Sequence, residues 1–403
     1  MADGSGSVQQ LRVVERIDEI AAPLWDRCAG PDNPFLSHAF LDTLEASGSA
    51  AARTGWLPQH LIAEDGEGRV LGAVPMYLKS HSYGEYVFDH GWADAYRRAG
   101  GSYYPKLQVA VPFTPVPGPR LLLAPDADPA VGDMLIAGLV EIADRRDVSS
   151  LHVTFALEHE WQRLGEAGFL QRKGMQFHWS NHGYATFDDF LAALSSRKRK
   201  AIRKERREAV AAGLTIHRLT GAAIEEKHWD AFFRFYMSTS DRKWGQAYLN
   251  RAFFTEIGRT LADRIMLVMV EAGGKLVAGA LNLIGSDTLY GRNWGCVVHV
   301  PFLHFEVCYY QAIDFALARG LKRVEAGAQG EHKLARGYRP VLMHSAHDIA
   351  DPSLRKAVAD YLQRERAHVA EAIDVLDTMT PFRRDADARA GDPAHTHDAE
   401  SET

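Results

Sequence analysis

Apolar side chains recur at the spacing of one helix face between residues 305 and 317. They stand at i, i+3, i+4, i+7, i+8, i+11 and i+12, at Phe305, Cys308, Tyr309, Ala312, Ile313, Ala316 and Leu317. Pro301 before this run and Gly320 after it mark the helix ends. The pattern predicts a long amphipathic helix. A short strand, Lys322–Ala326, is predicted next, and a polar loop follows at its carboxyl end, the edge where open α/β sheets bind ligands.

The two halves of the chain show the same order of predicted elements. Each half begins with a helix, continues with two strands joined by a polar turn, and ends with a helix and a strand. In the first half these are Phe40–Glu45, His60–Ala63, Val70–Leu78, Asp133–Ala143 and Ser150–Phe155, and in the second half Leu249–Ile257, Arg264–Val270, Leu276–Ile284 and Cys308–Ala318 with its strand. The order predicts an α/β fold, α+β with a mixed sheet, in two similar domains. We place these domains at residues 1–180 and 181–380, and we predict that the polar residues 381–403 are disordered.

Length and composition agree with a globular protein of two domains. The chain has 403 residues, of which 46% are apolar and 24% charged, and a single core rarely serves so long a chain. No run approaches the ~20 apolar residues of a membrane span, and the first residues lack the features of a secretory signal. The cysteines, Cys28, Cys296 and Cys308, are widely spaced and odd in number, which argues against a disulfide framework. We therefore expect a cytoplasmic protein without a membrane span.

The net charge of −6 conceals a strongly basic segment over residues 197–207. Its cations are Arg197, Lys198, Arg199, Lys200, Arg203, Lys204, Arg206 and Arg207. Two interpretations stay open at this point. The segment could bind RNA phosphates, and such binding would weaken steeply with salt. It could instead be a solvated helix in which Glu205 and Glu208 pair with neighbouring cations.

Several sequence words carry a family resemblance. They are GEYVFDHGWA, YYPKLQVAVPFTPV, RKWG, LYGRNWGC, HFEVCYYQAI and EAGAQGEHKLARGY. A strand ending in Trp-Gly, an apolar helix, a Lys-Arg strand, a Gly-rich turn and Lys-x-x-x-Gly-Tyr together resemble the second acyltransferase domain of FemAB/FemX-type proteins. These proteins belong to the GNAT (N-acetyltransferase-like) superfamily. From about Asn33 to Arg383 the chain resembles the FemAB-like branch of peptidoglycan biosynthesis or recognition.

This resemblance implies two tandem GNAT-like domains with a cleft between them. It also implies a transferase that moves an acyl or aminoacyl group to a small-molecule or peptide amine related to a peptidoglycan precursor. No tightly bound cofactor is expected, and the donor is open between aminoacyl-tRNA and acyl-CoA. Val297–Leu303 lacks the Gly-rich turn that holds coenzyme A in GNAT acetyltransferases, which favours tRNA. The alternatives are an acetyl-CoA-dependent GNAT N-acetyltransferase and a non-catalytic protein that recognises cell-wall fragments or metabolites.

The loop after the Lys322–Ala326 strand holds most candidate catalytic residues. By the resemblance, Lys333 lies at the donor end of the cleft, where it would hold a phosphate or stabilise developing negative charge. Glu331 is the preferred acceptor of the amine proton, and Gln329 is a second candidate. His304, at the start of the predicted helix, is a candidate acid. The polar residues of this region that are expected to bind substrate are Glu325, Arg336 and Tyr338.

Other interpretations of these residues also stay open. Glu331 and Lys333 could pair with neighbours on an exposed loop. The density of glycine around them argues against this, because glycine permits close approach to the backbone. Glu306, in the first turn of the predicted helix, could stabilise the helix end, or a donor phosphate could dock there.

The first half contains a long aromatic and polar stretch, residues 82–117. So long a connection is usually functional, and we predict that it forms the acceptor pocket. The candidates for substrate contact are Asp89, His90, Tyr104, Lys106 and, from the second half, Trp244. Asp89 and His90 could form an acid/base pair or a structural pair, and Trp244 could close the cleft or pack at an interface.

We predict no metal site. The obvious set of ligands is Glu331, His332, His344 and His347, but no HExxH motif or comparable short pair is present.

Overall fold

A computed structural model describes residues 8–383 apart from residues 212, 244–246 and 328–329, with the side chains of residues 240–243 and 331 also outside the description. The strands are β1 (Gln10–Val14), β2 (Trp56–Pro58), β3 (His60–Glu64), β4 (Val70–Val74), β5 (Met76–Lys79), β6 (Lys106–Val109), β7 (Leu122–Leu123), β8 (Ser150–Ala156), β9 (Leu170–Ser180), β10 (Leu214–Thr220), β11 (Ile265–Ala272), β12 (Lys275–Ile284), β13 (Thr288–Cys296), β14 (Arg323–Glu325) and β15 (Arg339–Ile349). The helices are α1 (Ala22–Ala29), α2 (His38–Ala46), α3 (His90–Arg98), α4 (Ala130–Arg145), α5 (Glu158–Glu166), α6 (Phe187–Ala193), α7 (Ser196–Val210), α8 (Glu226–Lys243), α9 (Arg251–Thr260), α10 (Leu303–Phe305), α11 (Gln311–Arg319) and α12 (Pro352–Thr378).

One long mixed sheet runs through both halves of the chain. Its 11 strands lie in the order β10-β11-β12-β13-β14-β9-β15-β8-β6-β5-β2, and a second sheet has the order β1-β3-β4-β7. In each half a helical segment joins two parallel neighbours, β6 to β8 and β13 to β14. The internal repeat seen in the sequence is therefore present in the fold.

The halves exchange strands at the centre of the long sheet. Strand β9 of the first half pairs with β14 of the second, and β15 of the second half pairs with β8 of the first. Between them β9 and β15 pair antiparallel along nine positions, from Arg339 opposite His178 to His347 opposite Leu170. The predicted domain boundary at residue 180 stays a prediction. Strand β15 belongs to the predicted second domain, 181–380, but it pairs with β8 of the predicted first domain, 1–180.

The main apolar core also draws on both halves. Trp25 and Phe35 from the first half and Phe232, Phe254 and Leu281 from the second belong to one cluster of buried side chains. A second cluster lies beneath α11 and the turn before it, and a third lies beneath α4. Burial of this shared apolar surface fixes the position of one half against the other.

Three expectations about elements require correction. Val70–Leu78 is not one strand, because Pro75 lacks an N–H donor and separates β4 from β5, which join different sheets. The long helix is not α-helical throughout, since a π-helical turn, Glu306–Tyr310, lies between α10 and α11. The predicted start of the tail at residue 381 is too early, because Phe382 is buried and pairs with Leu194.

No helix in the described part of the chain has the length and apolar character needed to cross a bilayer.

Buried neutral histidines give the fold a sensitivity to acid. Burial lowers the pKa of His152 and of His178 to about 3, and the Nδ1 atoms of His152 and His347 lie 2.7 Å apart. A histidine with a folded pKa near 3 and an unfolded pKa near 6.5 is protonated only in the unfolded chain between these values, so stability present above pH 6.5 is lost as the pH falls.

We expect the free energy of unfolding to fall by about 2 kcal/mol per such histidine between pH 7 and pH 5. Urea unfolding of His178→Gln at both pH values should show a drop smaller by that amount. The exposed His159 supplies the control, and His159→Gln should show the drop of the wild type. If the free energy of unfolding of His178→Gln fell by as much as that of the wild type, His178 would not contribute to the sensitivity to acid.

Candidate active site

A cleft opens where β13 and β14 separate. The two strands are paired only as far as Tyr290 opposite Glu325, where β14 ends, while β13 continues to Cys296. The cleft has about 390 Å³ of space not occupied by atoms. Its lining residues are Ala280, Leu281, Asn282, Gly291, Arg292, Asn293, Trp294, His304, Cys308, Tyr309 and Ala326. The carboxyl end of a parallel strand pair is thus open to a ligand, as the sequence predicted.

The π-helical turn brings two side chains to this cleft. Such a turn inserts one residue into a helix and is frequent at functional sites. Cys308 and Tyr309 of this turn line the cleft together with His304 of α10. The His304 ring lies 5.4 Å from the rings of both Trp294 and Tyr309, so the predicted acid is placed at the cleft wall.

Glu306 anchors this turn to the basic helix. Its carboxylate is buried and accepts two hydrogen bonds from Arg206, at 3.0 and 3.1 Å, and one from Gln311 at 2.7 Å. Of the two interpretations left open by the sequence, the structure therefore supports a stabilising role for Glu306.

Lys333 is a buried cation that does not itself line the cleft but bonds to Gly327, the neighbour of the lining residue Ala326. Its side chain is 1% exposed, and its Nζ donates a hydrogen bond to the Gly327 carbonyl at 2.7 Å. Burial lowers the pKa of Lys333 to about 8, although the nearby Cys308 opposes this shift. Lys333 therefore does not lie on an exposed loop, and at neutral pH most molecules carry its charge.

The loop that carries Lys333 is held in place by its neighbours. Arg336 donates to the His332 carbonyl at 2.7 Å and to the Glu205 carboxylate at 2.9 Å. Tyr338 is fully buried, and its ring lies 5.5 Å from that of Tyr309. Arg336 and Tyr338, like Lys333, are not among the residues that line the cleft, and their contacts hold the loop in place.

Two of the predicted catalytic groups cannot be placed. Gln329 and the side chain of Glu331 lie outside the described residues. The same holds for Trp244, the predicted closing residue.

Glu325 lies on β14 beneath the cleft. Burial raises the pKa of Glu325 to about 8, and its Oε1 lies 3.8 Å from His178 Nδ1. Its other oxygen, Oε2, has no hydrogen-bond partner. A carboxyl in such a site is protonated in most molecules at neutral pH.

Arg292 is a residue of this site that the sequence did not reveal. Leu281 pairs with Asn293 and Asn282 pairs with Gly291, so Arg292 is the extra residue of a β-bulge. Its Nη2 donates to the Phe113 carbonyl of the first half. Arg292 lines the cleft and also a second, small and largely apolar pocket between the halves. The only feature of the sequence that could have indicated Arg292 is the Arg-Asn-Trp order on an otherwise apolar strand.

The predicted acceptor residues of the first half form an enclosed network instead. Lys106 is fully buried and donates to Asp89, to Glu85 at 2.8 Å and to Ser82 at 2.9 Å. The Tyr104 hydroxyl lies 2.8 Å from Ser82 Oγ.

Asp89 does not bond to His90, although the sequence left such a pair open. Asp89 bonds to Lys106 and to Tyr103, whereas His90 is exposed and packs beside Tyr83, with ring centroids 5.8 Å apart. The charge of Lys106, inside the fold, attracts the carboxylate more strongly than an exposed imidazole can.

The basic segment forms helix α7, which has an inner and an outer face. On the inner face Arg206 pairs with Glu306 and Asp314, and Glu205 bonds to Tyr310 and Arg336. On the outer face, Arg203 pairs with Asp188 at 2.8 Å and Lys204 with Glu208 at 3.6 Å. Among the described residues no ion pair is formed by Arg197, Lys198, Arg199, Lys200 or Arg207. The outer face therefore keeps a net positive charge.

The histidines considered as metal ligands lie apart from one another. His332 bonds to the Tyr309 hydroxyl at 2.8 Å, His344 packs against Trp161, and His347 faces His152. Within the part of the chain that is described, no group of three or more His, Cys, Asp or Glu side chains could hold a metal ion.

Comparison with known proteins identifies a family that matches this chain. The FemAB-like family model, described as peptidoglycan biosynthesis/recognition, matches residues 16–384. Comparison with proteins of curated function returns no match. The structure of FemX gives a TM-score of 0.52 at 12% identity, covering 84% of this chain and 98% of that one.

Two further structures are similar at lower scores. L-PGS from Bacillus licheniformis gives a TM-score of 0.48 at 10% identity, covering 79% of this chain and 95% of that one. A tandem GNAT protein from the clavulanic acid biosynthesis pathway gives 0.46 at 14% identity, covering 85% and 99%. The likeness to FemX shows a shared fold, and the predicted mixed α/β class is confirmed.

Proposed function

This chain belongs to the FemAB-like family of peptidoglycan biosynthesis or recognition, and on that premise we propose that it transfers an acyl or aminoacyl group to an amine in the cleft between β13 and β14. The observation that carries the proposal is Lys333, a buried cation with a lowered pKa that bonds to Gly327, the neighbour of the cleft-lining residue Ala326 at the carboxyl end of parallel strands. Buried groups with shifted pKa values are concentrated at functional sites. The acceptor we propose is a small-molecule or peptide amine related to a peptidoglycan precursor.

The reaction is a nucleophilic substitution at a carbonyl carbon. The acceptor amine forms a C–N bond, and the C–O or C–S bond to the donor breaks. The amine loses one proton, and the departing hydroxyl or thiol gains one. Lys333 would stabilise the negative charge that develops on oxygen, and His304 would supply a proton at the cleft wall. Glu331 remains the proposed acceptor of the amine proton.

Aminoacyl-tRNA is the donor that we propose, which would place the reaction in the cytoplasm. The outer face of α7 carries cations without partners, and the inner face is bonded directly to the π-helical turn of the cleft. A nucleic acid bound on the outer face would therefore lie on the element that supports the reacting groups.

A salt series tests this donor. Charged tRNA should bind the wild type with a logarithmic affinity that falls by about 0.7 to 0.9 per phosphate contact for each logarithmic unit of salt. A variant with Arg197, Lys200, Arg203, Lys204 and Arg207 changed to glutamine should bind at least about 100-fold more weakly and show a smaller salt slope. The neutralised cations all lie on the outer face, away from the bonds of the inner face.

The matched control neutralises exposed cations of the first half, Arg97, Arg98, Arg145 and Arg146, and it should bind tRNA as the wild type does. No binding of tRNA by the wild type at low salt would contradict this donor. Protection against thermal unfolding by coenzyme A would then favour an acyl-CoA donor.

A further inference from the structure

Glu205 is a single carboxylate that joins two separate segments of the candidate site. Its Oε2 accepts a hydrogen bond from the Tyr310 hydroxyl, and its Oε1 accepts one from Arg336 Nη2 at 2.9 Å. Tyr310 belongs to the π-helical turn, and Arg336 belongs to the loop that carries Lys333. Each oxygen of the carboxylate therefore holds a different segment in place.

The environment of Glu205 differs from that of Glu208 on the same helix. The sequence treated both as partners of neighbouring cations on a solvated helix. Glu208 lies 3.6 Å from Lys204, and these side chains are 40% and 63% exposed. Glu205 is only 17% exposed, and its partner Arg336 is 8% exposed. A hydrogen-bonded ion pair with little access to water fixes its partners more firmly than an exposed pair does.

The guanidinium of Arg336 is bonded to the backbone next to Lys333. Its Nη1 donates to the His332 carbonyl at 2.7 Å, and its carbon lies 3.3 Å from the centre of the Phe305 ring. The loop also closes on itself, because the Tyr338 N–H donates to the Lys333 carbonyl at 3.3 Å. A group that fixes Arg336 therefore also fixes the backbone from which the Lys333 side chain extends.

Other contacts attach helix α7 to the fold without Glu205. Ile202 and Ala209 of this helix are buried. Arg206 donates two hydrogen bonds to the buried carboxylate of Glu306, at 3.0 and 3.1 Å. A substitution at Glu205 should therefore leave the helix in place and release the loop from it.

We propose that Glu205 is a positioning residue for the transfer reaction, because its carboxylate holds the loop of Lys333 against the π-helical turn. Glu205 is not among the residues that line the cleft, and it acts through Arg336 and Tyr310. This inference rests on the proposed function, since it concerns the same reaction. Helix α7 then has two roles, with the donor bound on its outer face and Lys333 positioned from its inner face.

Hydrogen exchange of the full chain, measured by mass spectrometry without donor or acceptor, tests the positioning directly. The amides of Gly337 and Tyr338 donate to the carbonyls of Leu334 and Lys333 at 3.1 and 3.3 Å, so a peptide that contains them reports opening of the loop. Its exchange should be at least about 10-fold faster in Glu205→Gln, because a hydrogen bond between charged groups is lost. Glu205→Asp keeps the charge on a shorter side chain and should give an intermediate rate.

The matched control is Glu208→Gln, which removes a carboxylate of the same helix that pairs only with Lys204 among the described residues. Its loop should exchange as in the wild type, and exchange of β8 should be the same in every variant. Unchanged exchange of the loop in Glu205→Gln, or an equal rise in Glu208→Gln, would overturn the inference. If Glu205→Gln does not fold, Glu205→Asp decides, and exchange at the wild-type rate in that variant would overturn it.

Transfer kinetics show whether Glu205 acts through Lys333. Glu205→Gln should lower kcat by about 10-fold with KM nearly unchanged, and it should have little further effect when Lys333→Met is already present. Full additivity of the two losses would contradict a role exerted through Lys333. The exchange measurement contains no donor, so it decides the positioning even if no transfer is found, and unchanged exchange would leave the proposed transfer intact.

Discussion

Replacing Lys333 with methionine is expected to lower kcat/KM for acyl transfer by about 100- to 1,000-fold. The side chain is 1% exposed and donates, at 2.7 Å, to the carbonyl of Gly327, which follows the cleft-lining residue Ala326. Inside the protein a positive charge stabilises a developing oxyanion far more than it would in water. Methionine keeps the approximate length of the side chain and removes the charge, so the loss should appear mainly in kcat.

The matched control for this substitution is Lys322→Met. Lys322 directly precedes β14, its side chain is 78% exposed, and its Nζ lies 3.9 Å from Asp287. This variant should transfer at the wild-type rate. A Lys333→Met protein that is folded and transfers at nearly the wild-type rate would remove Lys333 from the mechanism.

Replacing Lys106 with methionine is expected to lower the free energy of unfolding by about 3 to 5 kcal/mol. Lys106 is fully buried and is shared by Asp89 and by Glu85 at 2.8 Å. Without its cation two carboxylates would remain inside the protein, and the pKa of Glu85 is already raised to about 7 by burial. Urea unfolding of the variant and the wild type measures the loss.

A compensating variant separates the charge from the packing of Lys106. Changing Glu85→Gln and Asp89→Asn together with Lys106→Met removes three of the four ionisable groups and leaves only Lys79, 3.8 Å from residue 85, so this triple variant should be more stable than Lys106→Met alone. The exposed Lys227 is the control, since Lys227→Met should change the free energy of unfolding by no more than about 0.5 kcal/mol. If Lys106→Met also changed the free energy of unfolding by no more than about 0.5 kcal/mol, the network around Lys106 would contribute little to stability.

The sequence predicted the elements of the fold well where one periodicity dominates. The strand pair of the second half, expected at Arg264–Val270 and Leu276–Ile284, forms β11 and β12 with nearly these bounds. The helix and strand expected at Asp133–Ala143 and Ser150–Phe155 form α4 and β8. In each case the apolar pattern agrees with the local preference of the residues, so tertiary contacts do not override it.

The π-helical turn could not be read from the apolar pattern. The predicted face of Tyr309, Ala312, Ile313 and Ala316 is buried, but Tyr310 is buried as well. Inserting one residue changes which side chains face the core while leaving the composition unchanged. The partner that accompanies the turn, Arg206 for Glu306, lies 100 positions away in the chain, so no local pattern indicates it.

Contacts between residues that are distant in the sequence also limit what the sequence indicates about the candidate site. The polar loop follows β14 at the open end of the sheet, and the roles assigned to its residues stay predictions. Arg292 was missed because its importance comes from a β-bulge and from contact with Phe113 of the other half. Asp89 was misassigned because its partner, Lys106, is distant in the sequence and an adjacent histidine offered a simpler pair.

The central claim is that this cleft transfers an acyl or aminoacyl group to an amine. The most direct measurement is a single-turnover assay in which labelled aminoacyl-tRNA or labelled acyl-CoA is mixed with excess protein and an amino-acid or peptide acceptor. The account predicts a labelled amide product with the wild type and with Lys322→Met, and its loss with Lys333→Met at equal folded concentration. Absence of an amide product from both donors, or its formation by Lys333→Met at the wild-type rate, would contradict the account.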